Sequence, residues 1–287
     1  MSARGSPQRN KYKENQKMNL SEKQLAIHVT TKCTLNCKTC ATIMPEFRKR
    51  ACGEHVPLEQ LKHEINCLFE IYDYIENLTI SGGEPLLYPS IYELANYCLN
   101  YSKKFGDLRI FSNGTIIPDQ KLVDVIKSSD GKLKLVVDDY GAALSKNTAQ
   151  IADLWKANGM ELRVIQYYGD HQHCGGWIDN GHPIQKRHYP DAGKAVFSRC
   201  HLAQYSCPAT LKGKLHNCSW STMLVELGYI SKNVGLSEFV DMFNNDIPLE
   251  VKKQRVSQFG KQLLEACNWC NGFDPENSPR FPAGEQA

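Results

Sequence analysis

The sequence predicts an α/β fold of parallel βαβ units, followed by a β-hairpin and helices. Short apolar strand-like runs alternate with amphipathic helical patterns as far as about residue 197. After that point the alternation stops, and a Lys-Gly turn separates two short strand-like runs. The 287 residues, 41% hydrophobic and 23% charged, suit an ordinary globular protein with one large domain and a small appendage.

Strands are predicted where β-forming residues cluster between turn signals, and helices where apolar residues recur at helical spacing. The predicted parallel strands are residues 25–31, 77–81, 108–112, 133–137 and 162–168, with a sixth at 192–197. The helices between them are predicted at residues 58–75, 91–102, 119–128 and 148–157. The later hairpin is predicted at residues 209–215 and a long helix at 249–266.

Composition predicts four parts along the chain. Residues 1–24 are polar and basic without the apolar stretch of a secretory signal, and we expect a solvated tail there. Residues 25–197 hold the alternating elements, and residues 198–273 form a smaller domain. Residues 274–287 are rich in Pro and Gly, so we expect a flexible tail.

Charge and cysteine content restrict the possible functions. A net charge of +3 is too small to predict nucleic-acid binding, and no apolar run is long enough to cross a membrane. We therefore expect a cytoplasmic protein without nucleic-acid or membrane partners. Twelve cysteines are many for such a chain, and in a reducing compartment clustered thiols more often bind metal or catalyse reactions than form disulfides.

Three cysteines follow the first predicted strand in a CxxxCxxC arrangement: Cys33, Cys37 and Cys40. Loops at the carboxyl ends of parallel strands build active sites in barrels. Three thiolates can hold three irons of a four-iron cluster and leave the fourth iron open. A structural zinc site usually takes four protein ligands. The triplet alone therefore favours iron–sulfur binding over a zinc site or core cysteines without excluding either.

A glycine-rich turn follows the second predicted strand. It consists of Gly82, Gly83, Glu84 and Pro85. Adjacent glycines allow the backbone to approach a ligand closely, and Glu84 is a candidate acceptor for a ligand amine. A tight turn with an exposed glutamate explains the same residues equally well.

Together, the cysteine triplet and the Gly-Gly-Glu-Pro turn resemble the paired signature of the radical S-adenosylmethionine (SAM) superfamily, over about residues 25–197. The resemblance implies a partial (β/α)6 barrel of parallel strands. It implies that the three cysteines ligate a 4Fe–4S cluster, whose open iron chelates the methionine moiety of SAM. Reductive cleavage would then give a 5′-deoxyadenosyl radical, with the electron supplied by flavodoxin or ferredoxin. On this resemblance the cofactor-binding turn is Gly82, Gly83, Glu84 and Pro85.

Further cofactor contacts are implied at the ends of the next strands. Ser112 or Asn113 is expected near the ribose or carboxylate, although an Asn-Gly turn also explains them. Adjacent strand residues point to opposite faces, so only one of Asp138 and Asp139 can line the site, and Asp138 is preferred. The family's aromatic residue before the last cluster cysteine is Thr39 here. Adenine would then need support from backbone or from the fifth strand.

A second group of cysteines lies late in the chain: Cys200, Cys218, Cys267 and Cys270. Its CX₁₂GX₄C pattern with a distant CX₂C resembles the shortened SPASM appendage called Twitch, which carries an auxiliary 4Fe–4S cluster. The resemblance implies that all four cysteines ligate this second cluster. Four thiolates in two separated pairs also suit zinc. Cys207 is an alternative ligand to Cys200 or a free thiol.

An auxiliary cluster bound by four thiolates implies electron transfer. The resemblance implies oxidation of an alcohol to a ketone on a small polar substrate, carbohydrate-like or an aminocyclitol. Epimerisation is the alternative and would need a spare cysteine as hydrogen donor, with Cys174 and Cys207 the candidates. The loop at residues 167–180 carries His, Asp, Asn and Trp side chains and is predicted either to contact substrate or to be a solvated surface loop.

Two other classes of function stay open. A peptide-modifying radical SAM enzyme is weakened by the short stretch before the first predicted strand, because many SPASM relatives carry a longer peptide-binding domain there. A non-enzymatic zinc or iron–sulfur module is weakened by the Gly-Gly-Glu-Pro turn.

Overall fold

One sheet runs through the protein. The structure is a computed structural model that describes residues 19–182, 184–188, 191–205, 207–232 and 238–287. Its strands are β1 (Ser21–Thr30), β2 (Tyr74–Gly82), β3 (Phe105–Ser112), β4 (Leu133–Asp139), β5 (Arg163–Gln166), β6 (Ala209–Leu211), β7 (Lys214–His216) and β8 (Phe239–Asp241). They lie in the order β5-β4-β3-β2-β1-β6-β7-β8.

Helices connect the strands and pack beside them. They are α1 (Met44–Lys49), α2 (Leu58–Ile71), α3 (Ile91–Leu99), α4 (Gln120–Ser128), α5 (Thr148–Ala157), α6 (Ala192–Phe197), α7 (His201–Gln204), α8 (Ser219–Glu226) and α9 (Leu249–Val256). Short 3₁₀ turns lie at Pro85–Leu87, His173–Gly175 and Glu265–Trp269. Within the described residues, no helix is both long enough and apolar enough to span a bilayer.

The sheet confirms the prediction of a partial barrel of parallel strands. β1 to β5 pair in parallel, and β6 adds a sixth parallel strand next to β1. β7 and β8 follow in antiparallel pairing, so the sheet stays open between its two edges, β5 and β8. The five helix-connected strands form where the alternating pattern predicts them.

The predicted sixth strand at residues 192–197 is wrong, because this segment forms α6. Ala192, Gly193 and Val196 are the buried residues, at the spacing of one helix face. A Cβ on Gly193 would lie 2.6 Å from Oδ1 of Asn268, so the helix packs tightly on the Glu265–Trp269 turn. The sixth parallel strand is instead β6, the first strand of the predicted hairpin.

Two faces of the sheet differ in character. On β1, Leu25, Ile27 and Val29 are buried and belong to one hydrophobic core with Leu61 and Ile65 of α2. Fully burying each such side chain stabilises the fold by about 1.5–3 kcal/mol. The alternate β1 residues lie on the opposite face, where the polar site is built.

Some boundaries differ from the predictions. β1 starts at Ser21, inside the segment predicted as a polar tail, and residues 1–18 of that tail lie outside the described residues. The helix predicted at 249–266 ends at Val256, and turns then lead to the Glu265–Trp269 segment. The division of the chain near residue 197 stays a prediction.

Candidate active site

A cavity of about 180 Å³, the first cavity, lies where β1 to β4 end. The described residues lining it include eight predicted site residues: Cys33, Cys37, Cys40, Gly82, Gly83, Ser112, Asn113 and Asp138. Parallel strands bring their carboxyl ends to the same edge, which explains how segments about 100 residues apart meet here. The structure thus gathers the cysteine loop and three strand ends around one space.

Side chains from other elements hold the cysteine loop, among them Arg48 and Asn113. Arg48 of α1 donates from Nη2 to the carbonyl oxygens of Cys33, at 2.6 Å, and Leu35, at 3.2 Å. Asn113 donates from Nδ2 to Oγ1 of Thr34, at 2.9 Å, and approaches Sγ of Cys33 at 3.6 Å. Sequence reasoning missed Arg48, whose contact with the loop spans 13 to 15 positions and follows no motif.

The first-cavity thiols suit a multinuclear metal cluster. Burial raises the pKa of Cys33 to about 12 and that of Cys37 to about 11, and the neighbouring Cys40 thiol adds to both shifts. Bound iron replaces these protons and offsets the repulsion between thiolates. In the part of the chain that the structure describes, no three His, Cys, Asp or Glu side chains converge tightly enough for a single metal ion. Three thiols around one space match the three-thiolate ligand set of a four-iron cluster.

Gly82 and Gly83 are required by the backbone beside them. A Cβ on Gly82, whose φ is 146°, would lie 2.3 Å from the carbonyl oxygen of Thr30, and one on Gly83 would lie 2.1 Å from that of Lys32. Gly83 donates its N–H to Thr30 at 2.9 Å. The two glycines therefore seat the β2 turn on the segment leading to the cysteines, and they also line the first cavity.

Glu84 lies behind the cavity wall. It is fully buried, and its Oε2 and Oε1 atoms accept the backbone N–H groups of Asn113, at 2.8 Å, and Leu86, at 3.0 Å. Burial raises its pKa to about 7, and these hydrogen bonds oppose the rise. Glu84 and Pro85 are not among the described residues that line the first cavity. Glu84 ties the end of β3 to the β2 turn, and its predicted contact with a ligand amine stays a prediction.

Asp138 offers a free acceptor to the first cavity. Its Oδ1 atom is buried without a hydrogen-bond partner among the described residues. Burial raises the pKa of Asp138 to about 7; the Glu84 carboxylate adds to the rise and Arg163 opposes it. Asp139 instead accepts the N–H of Gly141 at 2.9 Å. The unpartnered oxygen suits a ligand hydroxyl such as that of a ribose.

Aromatic rings line the first cavity on the β4 and β5 side. Tyr140 and Trp177 both face it, with ring centroids 5.3 Å apart at 80°. Tyr167 stacks on Tyr140 at 5.6 Å. Trp177 lies in the loop predicted to contact substrate, whereas sequence reasoning missed Tyr140. Its position two residues after Asp138, just past the fourth strand, was the available signal.

The segment predicted as a flexible tail returns to the cysteine loop. Phe281 exchanges two backbone hydrogen bonds with Trp177, at 2.9 and 2.7 Å. Further along, Gln286 forms an antiparallel bridge with Cys37 and donates from Nε2 to its Sγ atom at 3.3 Å. These contacts join the C-terminal segment to Cys37 and Trp177, two residues that line the first cavity, which sequence reasoning did not foresee.

The late cysteines gather at a second cavity, of about 50 Å³. Cys200, Cys207, Cys218 and Cys270 line it. Cys267 is buried nearby; burial raises its pKa to about 12, and the Cys200 thiolate adds to the rise. The four predicted ligands are thus brought together, with Cys207 as a fifth thiol.

Thiols of the second cavity accept N–H groups, as cluster thiolates do. Gly272 donates to Sγ of Cys270 at 3.2 Å, and Phe273 donates to Sγ of Cys200 at 3.3 Å. Cys207 receives a side-chain donor instead, Nε2 of Gln24 at 3.3 Å. Leu202, Trp220 and Phe273 supply an apolar lining.

The two candidate hydrogen donors lie elsewhere than the first cavity. Cys174 is exposed on the His173–Gly175 turn, with a φ of 53°. Cys207 belongs to the second cavity. Neither is among the described residues that line the first cavity, so the structure does not bring them next to Cys33, Cys37 and Cys40.

Residues 27–137 match the family model of the Radical SAM superfamily. This stretch, which is less than half of the chain, is therefore similar to a radical SAM domain. The match runs from the second half of β1 into β4 and includes all three cysteines of the first cavity.

Known proteins resemble the chain in sequence and in fold. An uncharacterized protein of Methanocaldococcus jannaschii is 30% identical over 118 residues, covering 40% of this chain and 38% of that protein. The structure of BtrN in complex with AdoMet and 2-DOIA matches with a TM-score of 0.52 at 15% identity, covering 92% of this chain and 99% of that one. Native anSMEcpe with bound AdoMet matches with a TM-score of 0.51 at 12% identity, over 87% and 88%. At these identities the structural likenesses concern the fold.

Proposed function

We propose that the protein is a radical SAM oxidoreductase with two 4Fe–4S clusters. It oxidises an alcohol carbon of a small polar, carbohydrate-like or aminocyclitol substrate to a ketone. On this proposal the second cluster is held by Cys200, Cys218, Cys267 and Cys270. An external one-electron reductant such as flavodoxin or ferredoxin supplies electrons in the cytoplasm, without nucleic-acid or membrane partners.

The observation that carries the proposal is the shared wall between the two cavities. Ala41, directly after Cys40, lines both the first cavity and the second. At this point a single residue would separate an electron acceptor in the second cavity from the space of the first cavity. This proximity gives the late cysteines a role in the reaction that a remote structural zinc would not have.

Bound SAM and the first cluster supply the radical that removes a hydrogen atom from the substrate carbon. The protein's side chains bind and orient the ligand. The Asp138 carboxylate accepts a ligand hydroxyl, and Tyr140 and Trp177 pack against the ligand on the β4 side. The second cavity would hold the acceptor for the one electron that the substrate gives up when its hydroxyl proton passes to water and the ketone forms.

Two likenesses support the choice of substrate class. The late cysteine spacing resembles that of 2-deoxy-scyllo-inosamine dehydrogenase. The fold is similar to that of BtrN, whose structure holds AdoMet and 2-DOIA. The polar edge of the first cavity, formed by Ser112, Asn113 and Asp138, is compatible with a hydroxylated ligand.

Anaerobic reconstitution tests the proposal. We expect about eight irons per chain, reductive cleavage of SAM to 5′-deoxyadenosine, and one ketone formed per SAM consumed with an aminocyclitol or polyol substrate. A protein that binds one zinc and cleaves no SAM would contradict the proposal. If SAM cleavage led to product only with a peptide substrate, the substrate would be a peptide and not a carbohydrate-like molecule.

Epimerisation is the second candidate, and one observation favours it. Cys207 is a fifth thiol in the cavity that shares Ala41 with the first. If it returns a hydrogen atom to the substrate, product has inverted configuration and unchanged oxidation state. Product analysis in ²H₂O separates the two reactions, because only the epimerase places solvent deuterium on carbon.

A further inference from the structure

Residues 281–287, here called the strap, run antiparallel to the cysteine loop. Lys38 donates its N–H to the carbonyl oxygen of Glu285 at 2.7 Å, and Ala287 donates to that of Asn36 at 2.7 Å. This pairing places Gln286 opposite Cys37. Backbone hydrogen bonds on both sides therefore fix which strap side chain meets this cysteine.

The Gln286 side chain is oriented by its own hydrogen bonds. Its Oε1 atom accepts the N–H of Asn36 at 2.8 Å, which only a carbonyl oxygen can do. The amide NH₂ group must then point the other way, where it donates to Sγ of Cys37 at 3.3 Å and to the carbonyl oxygen of Gly284 at 2.6 Å. The hydrogen bonds of Gln286 therefore require its NH₂ group, and not its carbonyl oxygen, to face Sγ of Cys37.

The strap is anchored at both ends of this contact. Gly284 is buried, has a φ of 73°, and would place a Cβ 2.9 Å from the Tyr140 ring. Only glycine passes this point of the cavity wall without displacing the ring. At its start, Phe281 pairs with Trp177. The strap therefore contacts, in turn, Trp177, Tyr140 and Cys37, which all line the first cavity.

We propose that Gln286 is a positioning residue of the first cluster, whose amide N–H donates to the Cys37 thiolate and raises the reduction potential of that cluster. This inference rests on the proposed function. Hydrogen bonds to cluster sulfurs withdraw electron density and stabilise the more negative reduced state, so they move the potential upward. The donor comes from a segment 249 positions away in sequence.

The other two cysteines have donors of different kinds. Asn113 approaches Cys33 from Nδ2 at 3.6 Å, and the Thr42 hydroxyl lies 3.3 Å from Sγ of Cys40. Removing the Gln286 donor therefore changes one of three contacts and leaves the cluster ligated. A change in potential, rather than loss of the cluster, is the expected result.

The test compares reconstituted Gln286→Ala with the unmodified protein. The measured quantity is the midpoint potential of the cluster whose EPR signal responds to added SAM, at matched iron content. We expect the potential of Gln286→Ala to be more negative. Gln286→Glu keeps an acceptor for the Asn36 N–H but loses the donor and adds charge, so we expect a larger shift in the same direction.

Gln172→Ala is the matched control. Gln172 contacts the same strap by accepting the N–H of Ala283 at 3.5 Å, but no contact with a cluster sulfur is recorded for it among the described residues. We expect its cluster potential to equal that of the unmodified protein.

Three outcomes would overturn the inference. An unchanged potential in Gln286→Ala would show that the amide does not act on the thiolate. Equal shifts in Gln286→Ala and Gln172→Ala would assign the effect to strap packing as a whole. If no cluster signal responds to SAM in the unmodified protein, the proposed function itself fails and this inference with it.

Discussion

The two cysteine cavities share the wall residue Ala41 but are built differently. The first has about 180 Å³ of space, and one oxygen of its Asp138 carboxylate has no hydrogen-bond partner among the described residues. The second has about 50 Å³ and an apolar lining that includes Trp220 and Phe273. Space with an unsatisfied acceptor suits a site that admits a ligand. A small apolar space full of thiols suits a redox centre closed to ligands.

The largest effect is expected when the cysteines of one cavity are removed, because this distinguishes the functions of the two cavities. Replacing Cys33, Cys37 and Cys40 with Ala removes the ligands of the first cluster. Iron should fall from about eight to about four per chain, and SAM cleavage should be lost. Iron analysis and chromatography of 5′-deoxyadenosine measure both quantities.

The matched variant carries Cys267→Ala and Cys270→Ala in the second cavity. It should lose a similar amount of iron but still cleave SAM, while ketone formation is lost. Equal loss of cleavage in both variants would contradict the division of roles between the cavities.

The next effect tests how tightly the first cavity is built. In Gly83→Ala the added Cβ would lie 2.1 Å from the carbonyl oxygen of Lys32, so the segment leading to Cys33 must move. A displacement of about 1 Å at a reacting centre lowers rates by about 10²-fold, and we expect a loss of that order in SAM cleavage. Single-turnover cleavage assays provide the measurement.

Gly131→Ala is the control for a general loss of stability. Its φ of 76° makes Ala unfavourable by roughly 1–2 kcal/mol, but nothing lies within 4 Å of the added Cβ. Urea unfolding should show the destabilisation while cleavage stays normal. Equal cleavage in the two variants would mean that the Gly83 contact does not position the site.

An intermediate effect is expected for the free acceptor. Hydrogen bonds to charged groups contribute about 1.5–3 kcal/mol, so Asp138→Ala should weaken SAM binding roughly 10- to 100-fold. Asp138→Asn keeps an oxygen acceptor and should lose less. Equilibrium dialysis measures the affinity, and unchanged binding in Asp138→Ala would remove Asp138 from the cofactor site.

The pH dependence of the same affinity gives an independent check. Burial raises the pKa of Asp138 to about 7, so in the free protein the carboxyl is largely protonated below that pH and ionised above it. The ionised form is the stronger acceptor for a ligand hydroxyl. SAM affinity should therefore rise as the pH increases through about 7 in the unmodified protein, and this rise should be smaller in Asp138→Asn, in which Glu84 still titrates near the same pH.

The smallest effects are expected at the spare thiols. Cys174 is exposed and outside the lining of the first cavity, so Cys174→Ser should leave both cleavage and ketone formation unchanged. Cys207→Ser should leave ketone formation unchanged if Cys200 is the ligand. A loss of iron in Cys207→Ser would make Cys207 a ligand of the second cluster instead.

The sequence predicted the parts of the molecule that depend on local pattern. The five helix-connected strands and the cysteine loop follow from periodicity and from motif spacing. The prediction at 192–197 was wrong because a segment of only six residues fits a strand and a helix equally; in the structure it is a helix that packs on Asn268. Arg48, Tyr140 and Gln286 were missed because their roles come from contacts that appear only on folding.

At the glycine turn, the sequence motif predicted the right residues, but the structure gives a different reason for them. Sequence reasoning placed two glycines near a ligand, and both do line the first cavity. The immediate steric reason for Gly82 and Gly83 is the neighbouring backbone at Thr30 and Lys32. A glycine of a binding motif can therefore be required because it packs against neighbouring backbone, even though it also lines the binding site.

The pairing of β6 with β1 has a mechanical consequence. Ala26 and Ile27 are in register with Ala209 and Thr210, and Ala26 also donates to the carbonyl oxygen of Pro208 at 3.0 Å. The strand that leads to the first cysteines and the hairpin that leads to Cys218 are thus paired directly in one sheet. Moving the hairpin away from β1 would break these backbone hydrogen bonds, so the pairing limits how far Cys218 can move from the loop that carries Cys33.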